Sequence, residues 1–95
     1  MARWRNKGTQ DLFDGVNSRD ARRLLPRSLV RVAQRKLSLV AAAATLDALR
    51  MPPSNHLEPL RGGRQGQYSI RINDQYRICF TWKGAAEDIE VVDYH

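Results

Sequence analysis

The chain has one cysteine, seven aromatic residues and no long apolar run among its 95 residues. A lone thiol, Cys79, closes no intramolecular disulfide, and no Cys/His set has zinc-finger spacing, so the fold must rest on its hydrophobic core. No stretch approaches the roughly 18 uninterrupted apolar residues of a membrane span. The basic start, residues 1–7, is not followed by an apolar segment, so no secretory leader is expected and the cytoplasm is the default compartment. Acidic residues are scarce too: 10 Asp+Glu against 16 Lys+Arg leave a net charge of +6 and a pI near 10.2. Such a surplus suits a polyanionic partner: nucleic acid, a ribosome or an acidic protein. Thirteen of the 16 cations are arginines, whose planar fork grips phosphate and carboxylate in a bidentate manner, and this points beyond solubility toward phosphate recognition.

What is present suffices for one core. Domains run to roughly 100–150 residues, so a single domain over residues 1–95 is expected. Residues 7–49 read as helical and 57–95 as stranded, with Met51-Pro52-Pro53-Ser54-Asn55 as the break, because proline ends helices and pushes its predecessor to extended geometry. This order predicts an α+β fold. Arg3-Trp4-Arg5 reads as a short strand and residues 8–15 as a short helix. Ser18 is the expected N-cap of a second helix, and Pro26 suits the first turn of a longer one. Along that longer helix Leu29, Ala33, Leu37, Val40 and Ala44 form one apolar stripe. Arg23, Arg27, Arg31 and Arg35 fall at i,i+4 spacing on another face, as a binding surface or as a solvated flank.

Residues 67–72 and 76–82 alternate polar and apolar, as half-buried strands do. Tyr68, Ile70 and Ile72 share a face with Tyr76, Ile78 and Phe80 only if Ile72 sits opposite Tyr76, which makes Asn73-Asp74-Gln75 a three-residue loop. The same register sets Arg71 opposite Arg77 on the polar face, beside Ser69 and Cys79. Like charges facing each other across a sheet are destabilising. The explanations are an anion held between them, or that each pairs with an acid such as Glu90 or Glu58 or leans into solvent. A last strand is expected over residues 88–94, with Ile89 and Val91 on one face.

Residues 61–66 carry three glycines but lack the strand-to-helix context of a phosphate-cradling loop. Cys79, in mid-strand, reads as an inert small residue. Two polar clusters remain, His56-Leu57-Glu58 with Arg61 and Arg64, and the terminal Asp93-Tyr94-His95, where titratable groups beside arginines suit proton transfer with phosphate stabilisation. The spacing-by-two of His56/Glu58 and Asp93/His95 also fits metal ligation, but a cation there would be repelled by Arg61, Arg71 and Arg77. No metal or cofactor is expected.

The run from Asn55-His56-Leu57-Glu58-Pro59-Leu60-Arg61-Gly62-Gly63-Arg64 through Gln67-Tyr68-Ser69-Ile70-Arg71 to Tyr76-Arg77-Ile78-Cys79-Phe80, closing with Val91-Val92-Asp93-Tyr94-His95, resembles the HigB group of plasmid-maintenance killer toxins in the RelE/ParE superfamily. The resemblance implies a compact RelE-like fold, with N-terminal helices packed on a small, mostly antiparallel sheet. It also implies a ribosome-dependent, metal-independent endoribonuclease of a type II toxin-antitoxin system, which cuts mRNA by attack of the ribose 2′-hydroxyl on the scissile phosphate. Its partners would be the small ribosomal subunit with mRNA and a helix-turn-helix antitoxin. By that resemblance Arg61 and Arg77 hold the phosphate. Asp93 and His95 are candidates for activating the 2′-hydroxyl and protonating the leaving oxygen, and Tyr94 for stacking on a base. Glu58 stands where some members carry histidine, which leaves the acid and base unassigned; it orients a base or pairs with Arg61. Arg64, Arg71, Arg27, Arg31 and Arg35 are the further cations expected to bind RNA or the ribosome. A non-catalytic binder of the same superfamily, directed at gyrase or acting as a corepressor, is the competing class; such a protein needs no terminal acid and histidine beside arginines.

Overall fold

The computed structural model describes residues 3–93; the candidate residues Tyr94 and His95 lie outside them. Helix α1 spans Lys7–Asp14. Its N-cap is Asn6, whose side chain accepts from the Thr9 amide, and it is closed by Gly15 in the left-handed conformation, a backbone shape that glycine adopts without steric cost. Ser18 caps α2, Arg19–Leu24, by accepting from the Ala21 amide. Asp11 ties the two helices together, accepting from Lys7 Nζ at 2.8 Å and from Ser18 Oγ at 2.6 Å. The helices approach closely at Gly8, where an added Cβ would lie 2.7 Å from the Asp20 carbonyl oxygen.

The chain then turns extended at Leu25. A 3₁₀ turn, Arg27–Leu29, with Pro26 at its N-cap leads into α3, Val30–Ala42. This corrects the expected arginine row. Arg23 belongs to α2 and Arg27 to the turn, so only Arg31 and Arg35 share one regular helix. The break follows from proline, which lacks an amide proton and disfavours helical geometry before it. The apolar stripe survives where the helix does: Ala33, Leu37 and Val40 are fully buried, whereas Ala44 lies beyond the helix and is exposed. Thr45 opens a separate 3₁₀ turn, Leu46–Arg50, by accepting from the Ala48 amide.

The second half forms a four-stranded sheet in chain order, with every strand pair antiparallel: β1 Glu58–Pro59, β2 Gln67–Arg71, β3 Tyr76–Trp82 and β4 Ala86–Asp93. Ile70, Ile78, Phe80, Ile89 and Val91 join Leu37, Ala33 and Val40 in the core, so the helices cover one face of the sheet. This is the helices-on-antiparallel-sheet α+β layer arrangement. Arg3-Trp4-Arg5 forms no full strand. It makes a parallel bridge at Trp4 on the outer edge of β4, with the Arg5 amide donating to the Ile89 carbonyl and the Ile89 amide to the Arg3 carbonyl, both at 2.9 Å.

β4 starts two residues before the expected boundary and carries a bulge. Thr81 pairs with Glu87, but Cys79 pairs with Glu90, so one extra residue is absorbed between them, where Asp88 adopts φ 50°, a shape asparagine and aspartate tolerate better than most. Beyond the bulge, Ile89 and Val91 face the core and Glu90 faces away.

Candidate active site

The face of the sheet turned away from the helices bears the row Glu58, Ser69, Cys79, Glu90 across all four strands, and beside it Arg71, Arg77 and Val92. Arg71 stands directly opposite Arg77, as the alternation requires. Each has found an acid. Arg71 bonds Asp74 in the adjoining turn, and Arg77 Nη2 lies 3.0 Å from Glu58 Oε1. Of the two acids expected as partners, Glu58 takes Arg77, while Glu90 accepts from Arg64 at 2.8 Å with Arg5 at 3.7 Å on its other oxygen. Glu58 therefore pairs with Arg77, not with Arg61.

Arg77 is held on several sides. Its Nε donates to Ser69 Oγ at 2.8 Å and its Nη2 to the His56 carbonyl at 2.8 Å. The side chain is 13% exposed, against 55% for Glu58. Ser69 and Cys79 beneath it are fully buried, and burial pushes the Cys79 thiol up from its ordinary value, which suits an inert side chain.

The carbonyl of His56 reaches Arg77 because of what precedes it. Pro53–Asn55 is a 3₁₀ turn, and His56 follows with φ 46°. Asn55, fully buried, fixes this segment: its Nδ2 donates to the carbonyls of Leu49 and Met51, both at 3.2 Å, and its Oδ1 accepts from Lys36 Nζ at 2.7 Å. Burial, then Arg35 and Arg71, hold the Lys36 amine below the usual lysine range. A continuous set of contacts thus runs from α3 through Asn55 and His56 to Arg77. No sequence signal marked Lys36, and Asn55 was named only within the proline break and the family run, with no role assigned to it. Ser69 was visible as a polar-face residue, and its diagonal position to Arg77 follows from the register.

Arg61 is exposed at the start of the 3₁₀ turn Gly62–Arg64 and makes no ion pair among the described residues. Arg64 also donates to Gln67 Oε1 at 3.0 Å, which braces this loop against β2. Asp93 lies off the sheet face that carries Arg77. It pairs in register with Tyr76, a core-facing residue, while Val92 shares the face of Arg77. Its Oδ2 accepts from Gln75 Nε2 at 3.1 Å. Arg27 and Arg31 lie on the helical layer, and Arg35 sits near Lys36. Among the described residues no three His, Cys, Asp or Glu side chains converge as a metal site, and no helix is long and apolar enough to cross a membrane.

Comparison with known proteins gives the same fold class a family. A profile described as a RelE-like toxin of type II toxin-antitoxin system HigB matches residues 3–95, and the chain belongs to that HigB-like toxin family. A Vibrio cholerae serotype O1 protein named Toxin HigB-1 is 45% identical over 60 residues, which span 63% of each chain. An uncharacterized protein of Haemophilus influenzae is 36% identical over 76 residues, 80% of this chain and 75% of its own. The match thus covers less than two thirds of the length of Toxin HigB-1.

Proposed function

We propose that this protein is a single-domain toxin of a type II toxin-antitoxin pair, acting in the cytoplasm as a ribosome-dependent mRNA endonuclease that needs no metal. The observation that carries this reading is Arg77. A guanidinium 13% exposed, anchored by Ser69 and the His56 carbonyl and facing the more exposed Glu58, is a preorganised cation for a phosphate whose charge grows during reaction. The chemistry is attack of the ribose 2′-hydroxyl on the adjacent phosphorus. The P–O5′ bond breaks, the 2′-proton leaves with a base, and the 5′-oxygen takes a proton from an acid, giving a cyclic phosphate and a 5′-hydroxyl.

In this mechanism Arg77 and Arg61 hold the phosphate. Glu58 yields its place on Arg77 to the incoming phosphate and stands beside the reacting atoms as base or base-orienting group. His95 supplies the second proton-transfer group and Tyr94 stacks on a base. Asp93, bonded to Gln75, acts by fixing the end of β4 from which Tyr94 and His95 extend. Arg64 and Arg71, and Arg35 on α3, add positive potential toward mRNA and the small ribosomal subunit. The antitoxin is a helix-turn-helix repressor.

Induction of the protein should arrest growth and produce ribosome-dependent mRNA ends, and Arg77→Ala or removal of His95 should abolish both. DNA breaks in place of mRNA ends, or full toxicity without His95, would overturn the mechanism. Ribosome binding should also weaken steeply with added salt, because each neutralised phosphate releases counterions.

A further inference from the structure

On the far side of the sheet from Arg77, α1, α2 and α3 enclose a cleft of about 510 Å³ built from helical-layer and loop residues alone. Its floor is aliphatic: Leu12, Ala21 and Leu25 are buried there, with Val30 half-buried beside them. Val16 at the rim is 50% exposed, a large hydrophobic side chain left in water. Asn17, Pro26 and Gln34 also line the cleft, and its charged side chains among the described residues are all cationic. Arg22 is braced over the opening by donating to the Asn17 carbonyl at 2.9 Å, and Arg27 and Arg31 are exposed with no ion pair among the described residues. Among the described residues no acid lines the cleft.

We infer that this cleft is the docking site of an acidic amphipathic segment of the antitoxin, with the segment's apolar side chains on the Leu12–Leu25 floor and its carboxylates on Arg22, Arg27 and Arg31. The inference rests on the toxin-antitoxin reading above and adds to it a surface and a chemistry. Charge complementarity selects an anionic occupant, and the apolar floor selects protein over RNA. Single strands are held by aromatic stacking as well as cations, and among the described residues no aromatic side chain lines this cleft. Arg27 and Arg31 are thereby separated from the ribosomal role expected of them, and the antitoxin contacts the helical layer without touching Arg77.

The test is calorimetric titration of the full chain with the purified antitoxin encoded beside it. Three variants are compared with the parent: Arg27→Glu with Arg31→Glu, Val16→Glu, and Lys83→Glu as a charge control on the exposed β3–β4 turn. All four positions are exposed, so the variants should fold, which circular dichroism checks. The double variant and Val16→Glu should each weaken antitoxin binding by about tenfold or more, as loss of close charge pairs and an apolar anchor does, and Lys83→Glu should not. Hydrogen exchange of the complex should show protection at residues 16–31 and none at residues 56–61. If the parent binds and the cleft variants bind as well as it does, the docking site is wrong while the toxin-antitoxin reading stands. If the variants keep the antitoxin but lose the ribosome, the cleft is an RNA surface and the inference falls. If the parent does not bind the antitoxin at all, the toxin-antitoxin reading itself fails.

Discussion

Ser69 and Arg77 lie diagonally on adjacent strands, and the fully buried Ser69 hydroxyl accepts a 2.8 Å hydrogen bond from Arg77 Nε. Diagonal neighbours on one sheet face are within reach of a long side chain. Removing the acceptor leaves a largely buried charged donor short of a partner, at a cost of about 1–3 kcal/mol. Ser69→Ala should therefore lower the melting temperature, and mRNA cleavage should fall further than ribosome binding, since Arg77 stays present but loses its aim. Parental cleavage in Ser69→Ala would show that the His56 carbonyl alone positions Arg77.

Glu58 tests the opposite property. Its carboxylate is more than half exposed, and exposed ion pairs contribute about 0–1 kcal/mol. Glu58→Gln should melt close to the parent while its cleavage rate drops. Cleavage at the parental rate would reduce Glu58 to a removable counterion of Arg77.

The junction of α1 and α2 should respond to acid. Hydrogen bonds from Lys7 and then Ser18 hold the Asp11 carboxyl below its ordinary value of 3.8. A group whose folded value is lowered adds stability that is present above the unfolded value and is lost as pH falls through the folded one. Asp11→Asn should thus melt below the parent at neutral pH, and the gap should close as pH drops below 3.8. A gap independent of pH would mean that shape rather than charge matters at this position.

Gly8 sets helix propensity against packing. Alanine there gains about 1 kcal/mol of intrinsic helix preference. The new Cβ would sit 2.7 Å from the Asp20 carbonyl oxygen and 3.0 Å from Leu24, and overpacking of that kind costs about 1–3 kcal/mol. Gly8→Ala should be destabilised in denaturant melts. A stabilised variant would show that α1 and α2 separate more easily than their contacts suggest.

Side-chain parity made the β2–β3 half of the site legible. With a three-residue loop Ile72 faces Tyr76 and Arg71 faces Arg77, and a one-residue slip from that register would turn the apolar side chains outward. Parity could not choose between an anion and two acids, since Arg71's acid lies in the turn and Arg77's lies in a two-residue strand with little periodic signal. The Arg64–Glu90 pair spans 26 residues and depends on the bulge in β4, which no alternation pattern announces. The helical arginine row failed for a simpler reason. Regular spacing was extended across Leu25-Pro26, where the backbone is extended. The Lys36–Asn55–His56 chain was hidden because its members bring together α3 and a proline-rich turn, and nothing local records that meeting.

The bulge at Asp88 also gives β4 a spare residue. Without Asp88 the sequence Ala86, Glu87, Ile89, Glu90, Val91 would still alternate core, solvent, core, solvent, core, so a deletion at this one point leaves each side chain on its present face. An insertion of one residue at Glu90 would instead swap Val91 and Val92 between core and solvent. The last strand thus has an asymmetric tolerance to length change, with room for loss at one position and none for gain two residues later.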